Sequence, residues 1–141
     1  MEKAKKIILE KFEKAWDTKL NPNIGTKATD CFPKMISGDI KGLFIFGEDP
    51  VRTDPNTHHV IKSLESLDFF AIDELFMTET AKLADVILPG RSYAEKEGTF
   101  SNTERRVQRV RKAVEIEGDT KPDTWIFTEI MRRMGYPQPH L

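Results

Sequence analysis

The sequence predicts an α/β fold: a short parallel sheet flanked by helices, followed by a long polar loop. Two observations carry this expectation. GLFIF (42–46), DFFAI (68–72) and DVILP (85–89) are short continuous apolar runs, the pattern of strands buried on both faces. Helix-forming stretches separate them, and strand, helix, strand, helix, strand within 43–88 is the rhythm of parallel βαβ units. The chain has 141 residues, enough for one domain with a real core. The expected organisation is therefore a single α/β domain over 1–141. It divides into a helical lead-in at 1–38, a βαβαβ core at 42–90, a loop or extended arm at 91–121, and a closing helix at 122–135.

Each element has its own signal. Residues 2–16 place Ala4, Ile8, Phe12 and Ala15/Trp16 at steps of three or four, with Lys and Glu elsewhere, which predicts an amphipathic helix. Pro22 and Gly25 mark a loop, and a short helical piece follows around Asp30–Ile36, stopped by Gly38. GLFIF enters a tight GEDP loop. Asp54 before Pro55 reads as an N-cap and a first-turn proline, with the helix continuing to about Ser66. TETAKLA (78–84) predicts one or two helical turns, with Glu79 and Lys82 at an (i, i+3) spacing. Polar residues dominate 91–120, with one short extended piece near Val107–Val114. The last helix starts beside Pro122 and stops at Gly135, with Pro137 just beyond; Trp125, Ile126, Ile130 and Met134 form its apolar stripe.

Composition excludes several function classes. Lys and Arg number 22 against 23 Asp and Glu, so no global basic field exists for nucleic acid. The single cysteine, Cys31, rules out an internal disulfide framework and any multi-cysteine metal or iron–sulfur site. No apolar run approaches a membrane span and no secretory core follows Met1, which predicts a soluble protein of a reducing compartment.

In an open parallel sheet, ligands gather beyond the carboxyl ends of the strands. That rule selects three loops: Gly47-Glu48-Asp49-Pro50, Asp73-Glu74-Leu75 and Pro89-Gly90-Arg91. The first offers a glycine for close backbone approach. The second offers an acid that either accepts from ribose hydroxyls or caps the next helix. GEDPVR has one glycine and a proline, so the GxGxxG pyrophosphate loop is absent. Lys96, between Glu95 and Glu97, fits either a phosphate or carbonyl contact or a solvated surface. Arg105, Arg106, Arg109, Arg111 and Lys112 fit either an exposed edge balanced by acids or contact with an anionic ligand or partner domain. Asp123 either stabilises the start of the last helix or presents a carboxylate to paired N–H donors such as guanine N1 and N2. His58 and His59 are adjacent and point apart, and no nucleophile–base pair or paired catalytic carboxylates stand out.

IFGEDPVRTDP (45–55), DELFMTETAKLADVILPG (73–90) and EKEGTFSNTERRVQRVRKAV (95–114) resemble the molybdopterin oxidoreductase family. Within it, the chain is most similar to the large catalytic subunit of molybdenum- or tungsten-dependent formate dehydrogenases. KFEKAW (11–16) and PDTWIFTEIMRRMGYP (122–137) fit as well, so the likeness covers nearly the whole chain. The resemblance implies a Rossmann-like three-layer sandwich, one of two such domains around a metal held by two molybdopterin guanine dinucleotides. It implies a pocket for the guanosine end of one cofactor. Gly47, Glu48 and Asp49 would line the nucleotide; Asp73, with Ile72 before it, would take the ribose. Lys96 would approach the guanine or a phosphate, and Asp123 would accept from guanine N1–H and N2–H.

The family's iron–sulfur segment and its metal-ligating Cys or selenocysteine have no counterpart here. The resemblance therefore implies a fragment or split subunit that does not oxidise formate to carbon dioxide alone. Its partners would be the remaining domains or subunits of the parent, including iron–sulfur electron-transfer parts, with no nucleic acid and no membrane insertion. The expected location is cytoplasmic, with a periplasmic parent whose signal precedes this segment left open. The competing readings are a cofactor-free structural relative, as in the large iron–sulfur subunit of respiratory NADH dehydrogenase, and a receiver-type signalling domain, which 91–120 fits poorly.

Overall fold

The computed structural model describes residues 2–116 and 118–136. Pro137 lies outside the described residues, as does the side chain of Ala4. The chain forms two compact units, one ending at Asp30 and the other starting at Cys31.

The first unit is built on helix α1, Glu2–Trp16. Its end is fixed by Glu13, whose carboxylate accepts from Leu20 N–H at 3.0 Å and Lys19 Nζ at 3.1 Å. Those two donors hold the Glu13 carboxyl below its ordinary range. Phe12 and Trp16 touch with centroids 4.9 Å apart and planes tilted by 47°, as a stripe at helical spacing should bring them, yet Ile8, Phe12 and Trp16 all remain exposed.

Helix α2, Ala28–Ile36, crosses the division and ends where Gly38 takes a φ of 79°. Three strands then form one sheet in the order β1 (Gly42–Phe46), β2 (Phe69–Glu74), β3 (Val86–Pro89), all parallel. Alternation sends Leu43, Ile45, Phe70, Ile72 and Ile87 to one face, where they meet Met35, Val51, Val60, Leu64 and Ala81. Phe44 and Phe46 take the other face and meet the ring of Phe127 at 5.8 and 5.2 Å, edge-on. Phe127 belongs to helix α5, Asp123–Arg133, so helical elements lie on both faces of the sheet.

The parallel α/β sheet is as expected, but several element bounds differ. Pro50 starts a short helix α3, Pro50–Thr53, and the next helix α4, Thr57–Glu65, is capped by Asn56 rather than Asp54. Asn56 Oδ1 accepts from His59 N–H at 3.2 Å; Asp54 instead accepts from Asn56 N–H at 2.8 Å, a local turn that competes with capping. TETAKLA makes only one 3-10 turn, Ala81–Leu83, although Glu79 and Lys82 do pair at 2.6 Å. β2 runs on through Asp73 and Glu74, because both stay in register with β3 opposite Leu88 and Pro89. In α5, Ile126 is buried whereas Trp125 is exposed, as is Met134 at the cap just past its end.

The polar stretch holds an antiparallel hairpin of β4 (Gly98–Ser101) and β5 (Val107–Val110), where only an extended piece near Val107–Val114 was expected. Neither strand alternates apolar with polar residues clearly, so the sequence pattern hides it. Asn102 makes the turn, its Oδ1 accepting from Arg106 N–H at 3.0 Å, while Arg105 adopts a φ of 61°.

Asp85 closes the entry to β3. Its carboxylate accepts from Phe70 N–H at 2.7 Å, and its own N–H donates to Phe70 C=O at 2.8 Å. Removing that carboxylate strands a half-buried backbone donor. Asp85→Ala should therefore destabilise the fold by about 1 kcal/mol, read as a lower denaturant midpoint at unchanged slope.

Candidate functional site

All three strands end on the same side of the sheet, so their loops converge there. A cleft of about 210 Å³ opens at that end. Phe46 and Gly47 border it from β1, and Asp73, Glu74 and Leu75 from β2. The exit of β3 contributes Gly90, Arg91, Ser92 and Tyr93; Lys96, Phe100 and Asp123 complete the wall.

Each polar group is held by an identifiable local device. Gly47 turns the chain at a φ of 60°, which glycine adopts without strain, and its N–H extends the ladder to Asp73 C=O at 2.9 Å. Lys96 follows a tight turn in which Glu95 accepts from Ser92 N–H at 2.9 Å and Glu95 N–H returns to Ser92 C=O at 3.1 Å. Ala94 C=O receives Ala113 N–H at 2.8 Å and Val114 N–H at 3.0 Å, tying that turn to the far end of the hairpin. Asp123 is placed by Lys121 N–H, which donates to Pro89 C=O at 3.1 Å, and by Arg91 Nε, which donates to Thr120 C=O at 3.1 Å.

Asp123 does not cap its helix. The cap position is Pro122 and makes no side-chain bond; the Asp123 carboxylate instead accepts from Lys96 Nζ. Both side chains are about four-fifths buried. Asp73 is only 2% exposed, and its Oδ2 is buried without a hydrogen-bond partner among the described residues. Burial first, and then the Asp123 charge, push the Asp73 carboxyl up to about 6. Glu74 adds to the rise and Lys96 opposes it. A Cβ on Gly90 would stand 2.6 Å from Asp73 Oδ1 and 3.6 Å from Asp123 Oδ1, so both carboxylates press on the same stretch of bare backbone. The cleft thus offers buried acceptors, the cationic side chains of Lys96 and Arg91 and partly exposed aromatic rings, a set suited to a polar ligand rich in N–H and O–H groups.

Of the residues singled out from sequence, Gly47, Asp73, Lys96 and Asp123 come together here, from elements up to 76 residues apart in the chain (47 to 123). Asp49, Glu48 and Ile72 do not line the cleft. Asp49 Oδ1 accepts from Thr80 Oγ1 at 2.6 Å and Thr80 N–H at 3.3 Å, while Thr80 Oγ1 accepts from Val51 N–H at 3.1 Å. That buried knot joins the β1–α3 loop to the 3-10 turn. Glu48 is exposed outside the wall, and Ile72 is fully buried in the core on the opposite face of β2. Phe46, Tyr93 and Phe100 had no signal as lining residues, because only the folding back of the hairpin and the strand register bring them to the cleft. In the basic cluster, Arg109 pairs with Glu97 at 2.7 Å and Lys112 with Glu115 at 2.6 Å, both on the surface.

Comparison with known proteins agrees with this architecture. The family model for molybdopterin oxidoreductases matches residues 4–133. The chain is 51% identical over 128 residues to the alpha subunit of an F420-dependent formate dehydrogenase from Methanocaldococcus jannaschii, covering 89% of this chain and 18% of that protein. It is 42% identical over 125 residues to a putative formate dehydrogenase of Bacillus subtilis, covering 89% of this chain and 13% of the relative. Among solved structures it matches the acetylene hydratase of Pelobacter acetylenicus with a TM-score of 0.71 at 27% identity, over 79% of this chain and 16% of that one. The chain thus spans less than a fifth of the length of each.

Proposed function

The chain belongs to the molybdopterin oxidoreductase family, and on that footing we propose that its cleft binds the guanosine end of a molybdopterin guanine dinucleotide. The observation that carries the reading is the buried, unpartnered Asp73 Oδ2 in the same cleft as the Lys96–Asp123 pair. A carboxylate buried without a donor is costly, and a ribose hydroxyl supplies the missing donor. Asp123 offers two acceptor oxygens to guanine N1–H and N2–H, and Gly47 leaves room for close backbone approach. Such charge-assisted bonds contribute roughly 1.5–3 kcal/mol each. A cofactor-free relative would have no donor to satisfy Asp73, which weighs against that alternative.

The relatives named formate dehydrogenase give the parent activity we propose: two-electron oxidation of formate to carbon dioxide. When bound, the cofactor would supply the redox-active molybdenum or tungsten. This chain's own residues bind and orient the nucleotide end and exclude water from it. The partners in this reading are the remaining domains or subunits of a longer enzyme, of which this chain matches 18% in one relative; the family resemblance adds iron–sulfur electron-transfer parts to them. Among the described residues no helix is long and apolar enough to cross a membrane. We place the protein in the cytoplasm, where its single thiol stays reduced.

Calorimetric titration with GMP and AMP tests the reading. GMP is expected to bind weakly, on the order of 0.1–1 mM, and AMP at least tenfold more weakly. Equal affinity for the two would remove Asp123 as the base-reading residue. No binding of either would remove the nucleotide site.

A further inference from the structure

The Lys96 ammonium does more than present a donor to a ligand. It is already engaged by the Asp123 carboxylate, from a turn anchored separately to the hairpin. Against the same bare face of Gly90 stands Asp73, buried and lacking a donor at Oδ2 among the described residues. We infer that Lys96 is a positioning residue: it pins Asp123 and supplies the positive charge that favours the ionised form of Asp73 in the same cleft, so that nucleotide binding depends on pH and on the Lys96 charge. The inference rests on the guanosine reading above and gives Lys96 a different task from a direct contact with the base or phosphate.

The charge arithmetic favours this role. The groups facing Asp73 are Glu74 beside it on β2, Asp123 at the start of α5, and Lys96. Arg91, at the exit of β3, lines the same cleft with its Nε committed to Thr120. Glu95 is turned to the Ser92 N–H. Burial and the charges of Asp123 and Glu74 all favour the protonated form of Asp73. With Lys96 in place the Asp73 carboxyl already sits near 6. A neutral side chain at 96 removes the attraction that opposes the shift and should raise the Asp73 midpoint further. A protonated Asp73 loses an acceptor site, so ligand affinity should follow its ionised fraction.

Calorimetry with GMP across about pH 5 to about pH 8 on wild type, Lys96→Met and Lys96→Arg provides the test, paired with carbon NMR titration of the Asp73 carboxyl in each protein. Wild type is expected to bind uniformly above about pH 7 and about tenfold more weakly near pH 5. Lys96→Met should be about tenfold weaker at neutral pH and recover as the pH is raised, while Lys96→Arg keeps the wild-type profile. A Lys96→Met protein with the wild-type binding profile and the wild-type Asp73 midpoint would overturn the inference. Should Lys96→Met fail to fold, an ordinary carboxylate midpoint for Asp73 in wild type overturns it equally. Absence of GMP binding at every pH would defeat the guanosine reading alone, since the NMR midpoints decide the role of Lys96 without any ligand.

Discussion

Asp123→Asn is expected to lower GMP affinity by about 2–3 kcal/mol, roughly 30- to 150-fold, while leaving AMP binding nearly unchanged. An ionised carboxylate accepts through both oxygens, which is the complement of the adjacent N1–H and N2–H of guanine. Asparagine replaces one acceptor by an NH2 donor, and that donor then faces the guanine amine. It also releases Lys96 from its partner, leaving a partly buried ammonium beside the cleft. Because the amide pairs an acceptor with a donor, the variant should gain affinity for XMP, whose C2 carbonyl accepts where guanine donates. Calorimetry with GMP, AMP and XMP reads all three changes. Equal losses for GMP and AMP would mean that Asp123 supports the cleft without reading the base.

Asp73→Asn should act in opposite directions on stability and on binding. Its folded-state carboxyl is raised from 3.8 to about 6. Between those values the unfolded chain has released its proton while the folded chain keeps it. Stability is therefore full below about pH 4 and is lost as the pH rises through about 6. Asparagine does not ionise, so the variant should be more stable than wild type by about 2 kcal/mol near neutral pH and hardly different at about pH 4. Urea midpoints at the two pH values check this. Nucleotide binding should fall in the same variant, because the amide gives up an acceptor at the point the ribose needs. A variant that gained no stability at neutral pH would show that Asp73 meets a donor in the free protein. The pair of effects is the signature of a group kept at a stability cost for its ligand.

Sequence and structure part company at identifiable places. The strands were legible because GLFIF, DFFAI and DVILP are continuous apolar runs, and the helices because stripes and stop residues repeat at helical spacing. Capping was misassigned at Asp54, where two polar residues two positions apart compete for the same helix start and only the backbone geometry chooses Asn56. The hairpin of β4 and β5 carried no alternation to read, since six of its eight strand residues are exposed and the other two, Gly98 and Val110, are only partly buried. Asp49 looked like a nucleotide contact because it follows a strand in a glycine loop. Its hydroxyl partner, Thr80, is 31 residues away, and no local pattern announces it.

The sequence by itself determined the α/β class, the parallel strands and the family, and it singled out the acids, lysine and glycine proposed for the site, because local patterns and long motifs encode these. Only the tertiary structure decided which of them share a cleft. Asp73, Lys96 and Asp123 meet because strand register, a side chain that ties Thr120 to Arg91, and a hairpin anchored at Ala94 fold three distant segments onto Gly90. The unusual state of Asp73 belongs to that meeting as well: a carboxyl is raised by burial and by a neighbouring charge, and both are properties of a place rather than of a residue.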